Sequence, residues 1–167
     1  GEIGRPGHSV ETTKIDKEII ALSGKKNPKV LFIPTASDDS AGYVETVKKH
    51  YGKRLGCEVG TLFLWNKKIS KKQIEEKIMS SDIIYVGGGN TLKMIKLWKK
   101  LGVDKILEKA RKSGKVFSGL SAGAVCWFAY GNSDSLKMVN PNADYIRIRG
   151  LGFVPGLLCP HLDKEKD

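Results

Sequence analysis

Short apolar runs alternate with amphipathic segments along this chain, and that alternation limits the possible folds more than any other feature. The apolar runs cover residues 29–34, 59–65, 82–86 and 115–118. Apolar residues at helical spacing fill the segments between them, at 11–22, 40–55, 70–79, 92–98 and 103–112. Strands that alternate with helices at short spacing form βαβ units. The sequence therefore predicts an α/β fold, with a mostly parallel sheet and helices on both faces.

Length and cysteine content narrow the class of protein further. The 167 residues fit a single domain, 1–167. A membrane-spanning helix needs about 18 consecutive apolar residues, and no apolar run here approaches that length. Cys57, Cys126 and Cys159 are an odd set without a CxxC pair, which argues against a disulfide framework or a zinc ribbon. We therefore expect a cytoplasmic protein, without a membrane partner or cofactor, that is a monomer or a homodimer.

The formal net charge of +11 raises the question of a nucleic-acid partner. Nearly all of the positive charge is lysine, with arginine at only five positions, and the lysines fall at the ends and outer faces of the predicted helices. Proteins that read phosphates usually cluster arginine with aromatic residues on one surface. We therefore interpret the charge as a solvated lysine surface and predict no nucleic-acid partner.

The segment Gly119-Leu120-Ser121-Ala122-Gly123 is the strongest sign of chemistry. A G-x-S-x-G pattern between a strand and a helix is typical of a nucleophile elbow, in which a tight turn lifts the serine hydroxyl out of the sheet. The predicted strand precedes the pattern here, and an apolar helical stretch that includes Ala124, Val125, Trp127 and Phe128 is expected after it. Ser121 is therefore the candidate nucleophile.

A second glycine-rich turn, Gly87-Gly88-Gly89-Asn90-Thr91, also follows a predicted strand. It lacks the spacing of the known phosphate-binding loops. The carboxyl ends of parallel strands share one edge of a sheet, so both turns are candidates to meet in one crevice. A glycine-rich backbone can turn its N–H groups toward the negatively charged oxygen of a reaction intermediate. It would form one half of an oxyanion hole, and the N–H of Ala122 would form the other half.

A serine nucleophile needs a base, and His161 is the best placed of three histidines because it follows the apolar run 156–160. His8 lies in a glycine-rich start, and His50 is expected on the exposed side of a lysine-rich helix. Asp163, Asp134 and Asp144 are all possible partners for the imidazole, and spacing does not choose among them. His161 and Asp163 also resemble a metal pair, but no third ligand accompanies them, so we predict no metal site.

Three motifs in this order resemble the peptidase E/cyanophycinase family of serine peptidases. They are Val86–Thr91, Gly119–Ala124 and Pro160–His161. The resemblance implies a three-layer sandwich like that of the class I glutamine amidotransferases. It also implies an oxyanion hole formed by backbone N–H groups of Gly88 or Gly89 and of Ala122.

The resemblance further implies a peptidase that cleaves small peptides, notably dipeptides with an N-terminal aspartate. Ser121 would be the nucleophile and His161 the general base, while Asp134 and Asn90 are expected to contact the substrate. The family's glutamate and a substrate-reading arginine lie downstream of the histidine and have no counterpart up to residue 167. We therefore expect a domain truncated at both ends, and weak or absent activity for these 167 residues alone.

The same residues are compatible with other functions. An inactive binding module of the same fold would keep the serine without an assembled triad. An esterase on the α/β-hydrolase fold would use the same elbow, with Asp134 or Asp144 as its acid. A cysteine nucleophile is disfavoured, because the elbow residue is serine and Cys126 falls inside the expected following helix.

Overall fold

The computed structural model describes residues 10–65 and 68–162. Its helices are α1 Thr13–Leu22, α2 Ala41–Val47 with a π-helical continuation Lys48–Arg54, α3 Lys71–Ser80, α4 Thr91–Leu101, α5 Val103–Lys112 and α6 Ala122–Val125. A short 3₁₀ turn covers Thr35–Ser37. Its strands are β1 Lys29–Ile33, β2 Glu58–Thr61, β3 Ile83–Val86, β4 Val116–Gly119, β5 Phe128–Ser133, β6 Ile146–Arg149 and β7 Val154–Leu158.

A parallel sheet of four strands, in the order β2-β1-β3-β4, forms the centre of the molecule. The four predicted strands and their parallel arrangement are confirmed, although β2 ends at Thr61 and not at Trp65. All four residues of β3 are buried, as are the last four residues of β1. Burial on both faces explains why these strands are continuous apolar runs rather than alternating ones.

Helices cover both faces of this sheet, and alternate residues of β1 show how. Leu31 and Ile33 belong to an apolar cluster built mainly with α3, α4 and α5. Val30 and Phe32 point the other way, into a cluster with α1 and α2. The side-chain period of two in a strand thus places one core on each side of the sheet. The predicted three layers are confirmed.

A smaller sheet, in the order β6-β5-β7, follows the central one in the chain. β5 pairs antiparallel with β6 and parallel with β7. The cluster Gly131-Asn132-Ser133-Asp134 has the composition of a turn, but residues up to Ser133 belong to β5. Gly131 suits this strand, since a Cβ there would lie 2.3 Å from Cγ1 of Val125.

The helix after Ser121 is also shorter than predicted. α6 ends at Val125, and Phe128 already begins β5. Trp127 lies between the two elements and joins the apolar core. The apolar residues after Ser121 therefore form a short helix and the connection from the central sheet to the smaller one.

None of the helices within the described ranges combines the length and the apolar character that crossing a bilayer requires.

Candidate active site

Ser121 stands directly after β4, in a backbone conformation that few side chains adopt. Its φ is 51° and its ψ is −113°. Close packing imposes this turn: a Cβ on Gly119 would lie 2.3 Å from the Gly123 carbonyl oxygen, and one on Gly123 would lie 2.1 Å from that of Val86. Strain of this kind concentrates at functional sites. The pattern around Ser121 therefore has the geometry of a nucleophile elbow.

The glycine turn after β3 lies beside this elbow. A Cβ on Gly89, whose φ is 136°, would lie 2.1 Å from the carbonyl oxygen of Ala36. The main chain of the turn therefore packs directly against the loop after β1. A Cβ on Gly88 would lie 3.5 Å from the Cβ of Ser121. The two predicted turns thus meet at the carboxyl edge of the sheet.

His161 reaches Ser121 from the end of β7. Its Nε2 lies 3.3 Å from the serine Oγ, although 40 positions separate the two residues in the chain. The histidine has a φ of 62°, so its main chain is also in the left-handed region. An imidazole nitrogen at this distance from a hydroxyl is placed to take up its proton.

His50 is not the exposed histidine that the sequence suggested. It is 3% exposed, and its Nε2 lies 2.8 Å from Oδ2 of Asp16. The same carboxylate accepts hydrogen bonds from the hydroxyls of Tyr51 at 2.7 Å and Thr12 at 2.8 Å. His50 thus helps to hold α1 against the π-helical segment. His8 lies outside the described residues.

Asn90 caps α4 rather than presenting its side chain to open solvent. Its Oδ1 accepts from the Lys93 N–H at 3.0 Å, and its Nδ2 donates to the Ser135 carbonyl at 2.9 Å. The side chain is 7% exposed. Both polar ends are therefore engaged within the protein, and a contact between Asn90 and substrate stays a prediction.

Asp134 lies in a loop that is fastened next to the glycine turn. Its neighbours Ser133 and Ser135 are buried and share a hydrogen bond of 2.8 Å between their hydroxyls. The Ser135 Oγ also accepts from the N–H of Leu92, in the first turn of α4. The loop that contains Asp134 is thereby attached to the start of α4, and a contact between Asp134 and substrate stays a prediction.

No carboxylate within the described part of the chain forms a hydrogen bond with His161. This holds for Asp134 and Asp144, while the third alternative, Asp163, lies outside the described residues. Across residues 10–65 and 68–162, no group of three or more His, Cys, Asp or Glu side chains could hold a metal ion.

Cys126 lies behind the elbow and is fully buried. Its Sγ donates to the Gly123 carbonyl at 3.1 Å. Burial raises the pKa of the Cys126 thiol well above its usual range, so the reactive thiolate is disfavoured. The thiol is therefore a packing group, which leaves Ser121 as the candidate nucleophile.

Tyr43 is a site residue that the sequence did not reveal. Its hydroxyl oxygen accepts the N–H of Gly88 at 3.3 Å. The helical spacing of α2 directs attention to Val44, Val47 and Tyr51, which are buried beneath the helix. Nothing in a single sequence indicates that the tyrosine before Val44 reaches across to the glycine turn.

The comparison with family models decides the family. The model of Peptidase family S51 matches residues 4–167. The chain belongs to peptidase family S51. This membership agrees with the resemblance that the three motifs suggested, which is thereby confirmed at the level of the family.

Relatives and a solved structure agree with the S51 assignment. The chain is 39% identical over 167 residues to "Uncharacterized peptidase YgaJ" from Bacillus subtilis (strain 168), covering 99% of this chain and 69% of that protein. It is 35% identical over 128 residues to "Uncharacterized peptidase Lmo0363" from Listeria monocytogenes serovar 1/2a (strain ATCC BAA-679 / EGD-e), covering 75% of this chain and 54% of that protein. The S51 chain thus spans about two thirds of one relative and, in its matched part, about half of the other.

The fold also matches the crystal structure of a "Putative Peptidase E Protein" from Listeria monocytogenes EGD-e. The TM-score is 0.65 at 28% sequence identity, over 86% of this chain and 71% of that one. This S51 protein therefore has the α/β fold of the peptidase E structures, which is like that of the class I glutamine amidotransferases.

Proposed function

We propose that this S51 protein is a serine peptidase in which Ser121 is the nucleophile and His161 the general base. The observation that carries the proposal is the 3.3 Å contact between the Ser121 Oγ and the His161 Nε2, made at an elbow of strained backbone. A serine hydroxyl is a weak nucleophile until a base removes its proton. The fold supplies that base from a distant strand end.

The mechanism follows from this contact. His161 takes the proton of the Ser121 hydroxyl at Nε2, and the serine oxygen attacks the carbonyl carbon of the scissile peptide. The bond to the leaving nitrogen then breaks as His161 returns the proton to the amine. Water, deprotonated by the same imidazole, attacks the acyl-enzyme and releases the serine.

The negative charge on the substrate oxygen needs hydrogen-bond donors fixed in advance. We assign this role to backbone N–H groups of Ala122 and of Gly88 or Gly89. Gly88 lies beside Ser121, and Ala122 directly follows it. Donors of this kind are main-chain groups held by packing, so little reorganisation is needed as the charge develops.

We further propose that the substrates are small peptides, notably dipeptides with an N-terminal aspartate. The family resemblance supports this preference, and the formal net charge of +11 would draw acidic peptides toward the protein. Asp134 is proposed to contact the substrate from its fastened loop, and Asn90 is proposed to act with it at the turn.

A fluorophosphonate probe tests the nucleophile without assuming a substrate. We expect the whole gene product to be labelled at Ser121, and Ser121→Ala to lose at least about 99% of the labelling, because within residues 10–65 and 68–162 no other hydroxyl is paired with the base. Ser113→Ala, on the surface after α5, is the matched control and should be labelled as the parent is. Peptide mapping by mass spectrometry identifies the labelled residue.

Substrate class is tested in the same preparation. Aspartyl dipeptides should be cleaved faster than their asparaginyl counterparts, with release of the free amino acids measured by chromatography. Equal rates for parent and Ser121→Ala would contradict the nucleophile assignment. A parent protein that is never labelled would instead indicate a binding module, and cleavage of esters alone would indicate an esterase.

A further inference from the structure

Tyr43 is held rigidly at the rim of the site by α2. Ser40 caps this helix, and its Oγ accepts the N–H of Tyr43 at 3.4 Å. The tyrosine ring packs edge-on against Phe32 of the central strand, with ring centroids 5.0 Å apart and an interplanar angle of 62°. Contacts from both its own helix and the sheet therefore fix where the hydroxyl lies.

The ring lies directly on the glycine turn. A Cβ on Gly87 would come within 2.9 Å of Cε1 of Tyr43 and 3.1 Å of Cζ of Phe32. Only a glycine allows so close an approach without displacing the rings. Beyond this contact, the Tyr43 hydroxyl accepts the N–H of Gly88 at 3.3 Å, and Gly88 is in turn next to Ser121.

The hydrogen bond from Gly88 to Tyr43 matters because glycine backbone is intrinsically free to reorient, and this bond adds to the packing of Gly87 and Gly89 in fixing the turn. An oxyanion donor is effective only when its orientation is fixed before the charge appears. At 3.3 Å the bond to Tyr43 is long for an N–H···O contact. A developing oxyanion would form a shorter, charge-assisted bond with the same N–H, so exchange of one acceptor for the other favours the transition state.

We propose that Tyr43 is a positioning residue for acylation: its hydroxyl orients the Gly88 peptide, and it yields the Gly88 N–H to the substrate oxygen as the oxyanion forms. The proposal rests on the proposed serine-peptidase function. It assigns to α2 an indirect part in the reaction, through Gly88, and it adds a side chain to an oxyanion hole otherwise built from main-chain donors.

Tyr43→Phe tests the proposal, since it keeps the ring on Gly87 and removes only the hydroxyl. We expect the limiting rate of fluorophosphonate labelling at Ser121 to fall about 10-fold, while the concentration for half-maximal rate stays within about twofold. Tyr130→Phe is the matched control, because Tyr130 is 40% exposed on β5, and it should be labelled as the parent is.

A second measurement follows the hydrogen bond between the Gly88 N–H and the Tyr43 hydroxyl. In Tyr43→Phe the Gly88 amide should exchange its hydrogen for deuterium about 10-fold faster, as read by NMR, while the core amides of β3 keep their protection. Loss of protection throughout β3 would mean that the hydroxyl supports the fold in general, and it would overturn the positioning role.

The outcomes separate the two proposals. A parent that is not labelled removes the serine-peptidase function and the role of Tyr43 with it. A labelled parent with equal or faster labelling of Tyr43→Phe overturns the role of Tyr43 alone. A change confined to the half-maximal concentration also overturns it, because a positioning residue for the oxyanion acts on the limiting rate.

Discussion

At the residue scale, the geometry around Ser121 depends on glycines that lack a Cβ atom. The main chain of Gly123 passes so close to β3 that a Cβ would lie 2.1 Å from the Val86 carbonyl oxygen. A rigid carbonyl in a buried strand cannot move aside as a flexible side chain can. The small residues around Ser121 are therefore required by packing as well as by the tightness of the turn.

We predict that Gly123→Ala lowers the free energy of unfolding by at least about 3 kcal/mol, since overpacking at a backbone contact has no easy relief. Gly42→Ala, on α2, is the matched control: outside its own helix and chain neighbours, no atom of the described residues lies within 4 Å of its Cβ position. That substitution should be neutral or stabilising by up to about 1 kcal/mol, because alanine favours a helix. Urea unfolding of both variants checks the contrast, and similar losses would contradict it.

At the residue scale, the sequence predicted the tight turn at Ser121 but not the burial of His50. The elbow is a local pattern, so neighbouring residues in the chain are enough to predict it. His50 follows two lysines and was placed on an exposed face, but the π-helical backbone of Lys48–Arg54 and the carboxylate of Asp16 turn it inward. That partner lies 34 positions away, beyond the reach of local periodicity.

At the element scale, the ends of helices are set by short-range hydrogen bonds. α3 begins with a capping box, in which the Ser70 Oγ accepts the Gln73 N–H at 3.2 Å and the Gln73 side chain accepts the Ser70 N–H at 2.9 Å. The helical segment predicted to begin at residue 70 is confirmed, with Ser70 as the cap and Lys71 as the first helical residue. α3 packs with α5 over the central sheet, so its start also fixes part of one core.

Removing the cap should cost a measurable amount of stability. We predict that Ser70→Ala lowers the free energy of unfolding by about 1 kcal/mol, because a helix N–H loses its acceptor. Ser80→Ala, at the exposed end of the same helix, should change it by less than about 0.5 kcal/mol. Chemical denaturation followed by circular dichroism checks both values, and equal effects would show that the box is unimportant.

Strands buried on both faces were predictable, whereas β5 was not. β3 and the last four residues of β1 are apolar and buried, because helices cover the sheet on each side. β5 contains Gly131-Asn132-Ser133, which looks like a turn when only local composition is considered. Its strand conformation depends on pairing with β6 and β7, and these contacts lie far along the chain.

At the scale of the whole molecule, Asp82 joins the starts of two central strands. Its carboxylate accepts the Lys29 N–H at 2.9 Å and pairs with the Lys25 ammonium at 2.7 Å. Burial alone would raise the pKa of Asp82, but these hydrogen bonds and the charges of Lys25 and Lys115 lower it overall. A carboxyl whose pKa is lowered by folding stabilises the folded state when it is ionised.

We predict that Asp82→Asn lowers the free energy of unfolding by about 1–2 kcal/mol at neutral pH. The stabilisation by the carboxylate is present above the pKa of an aspartate in the unfolded chain, about 4, and is lost as the pH falls through the lowered pKa of the folded state. The parent and the variant should therefore converge below about pH 3.

Urea titrations across this pH range check the prediction. Glu18→Gln removes an exposed carboxylate from α1 and should behave as the parent does at every pH. A difference between parent and Asp82→Asn that stays constant down to acid pH would show that the carboxylate charge is not responsible.

The pairing of Ser121 with His161 also belongs to this largest scale. The carboxyl ends of parallel strands share one edge of a sheet, so the sequence predicted that the segments containing Ser121 and His161 lie close together. In the structure the Ser121 Oγ and the His161 Nε2 are 3.3 Å apart. The contact between Tyr43 and Gly88 joins residues 45 positions apart, and no local spacing of residues predicts it.

Close contacts between main-chain segments at this site divide the molecule into a part that tolerates few substitutions and a part that tolerates many. Gly89 against Ala36, and Gly123 against Val86, leave no space for variation, so the reacting geometry can change only with the sheet itself. The loop that follows β5 bears no such restriction along residues 136–145, most of which face solvent. Substitutions along this loop should therefore cost the fold little, whereas the geometry around Ser121 is fixed by the packing of the central sheet.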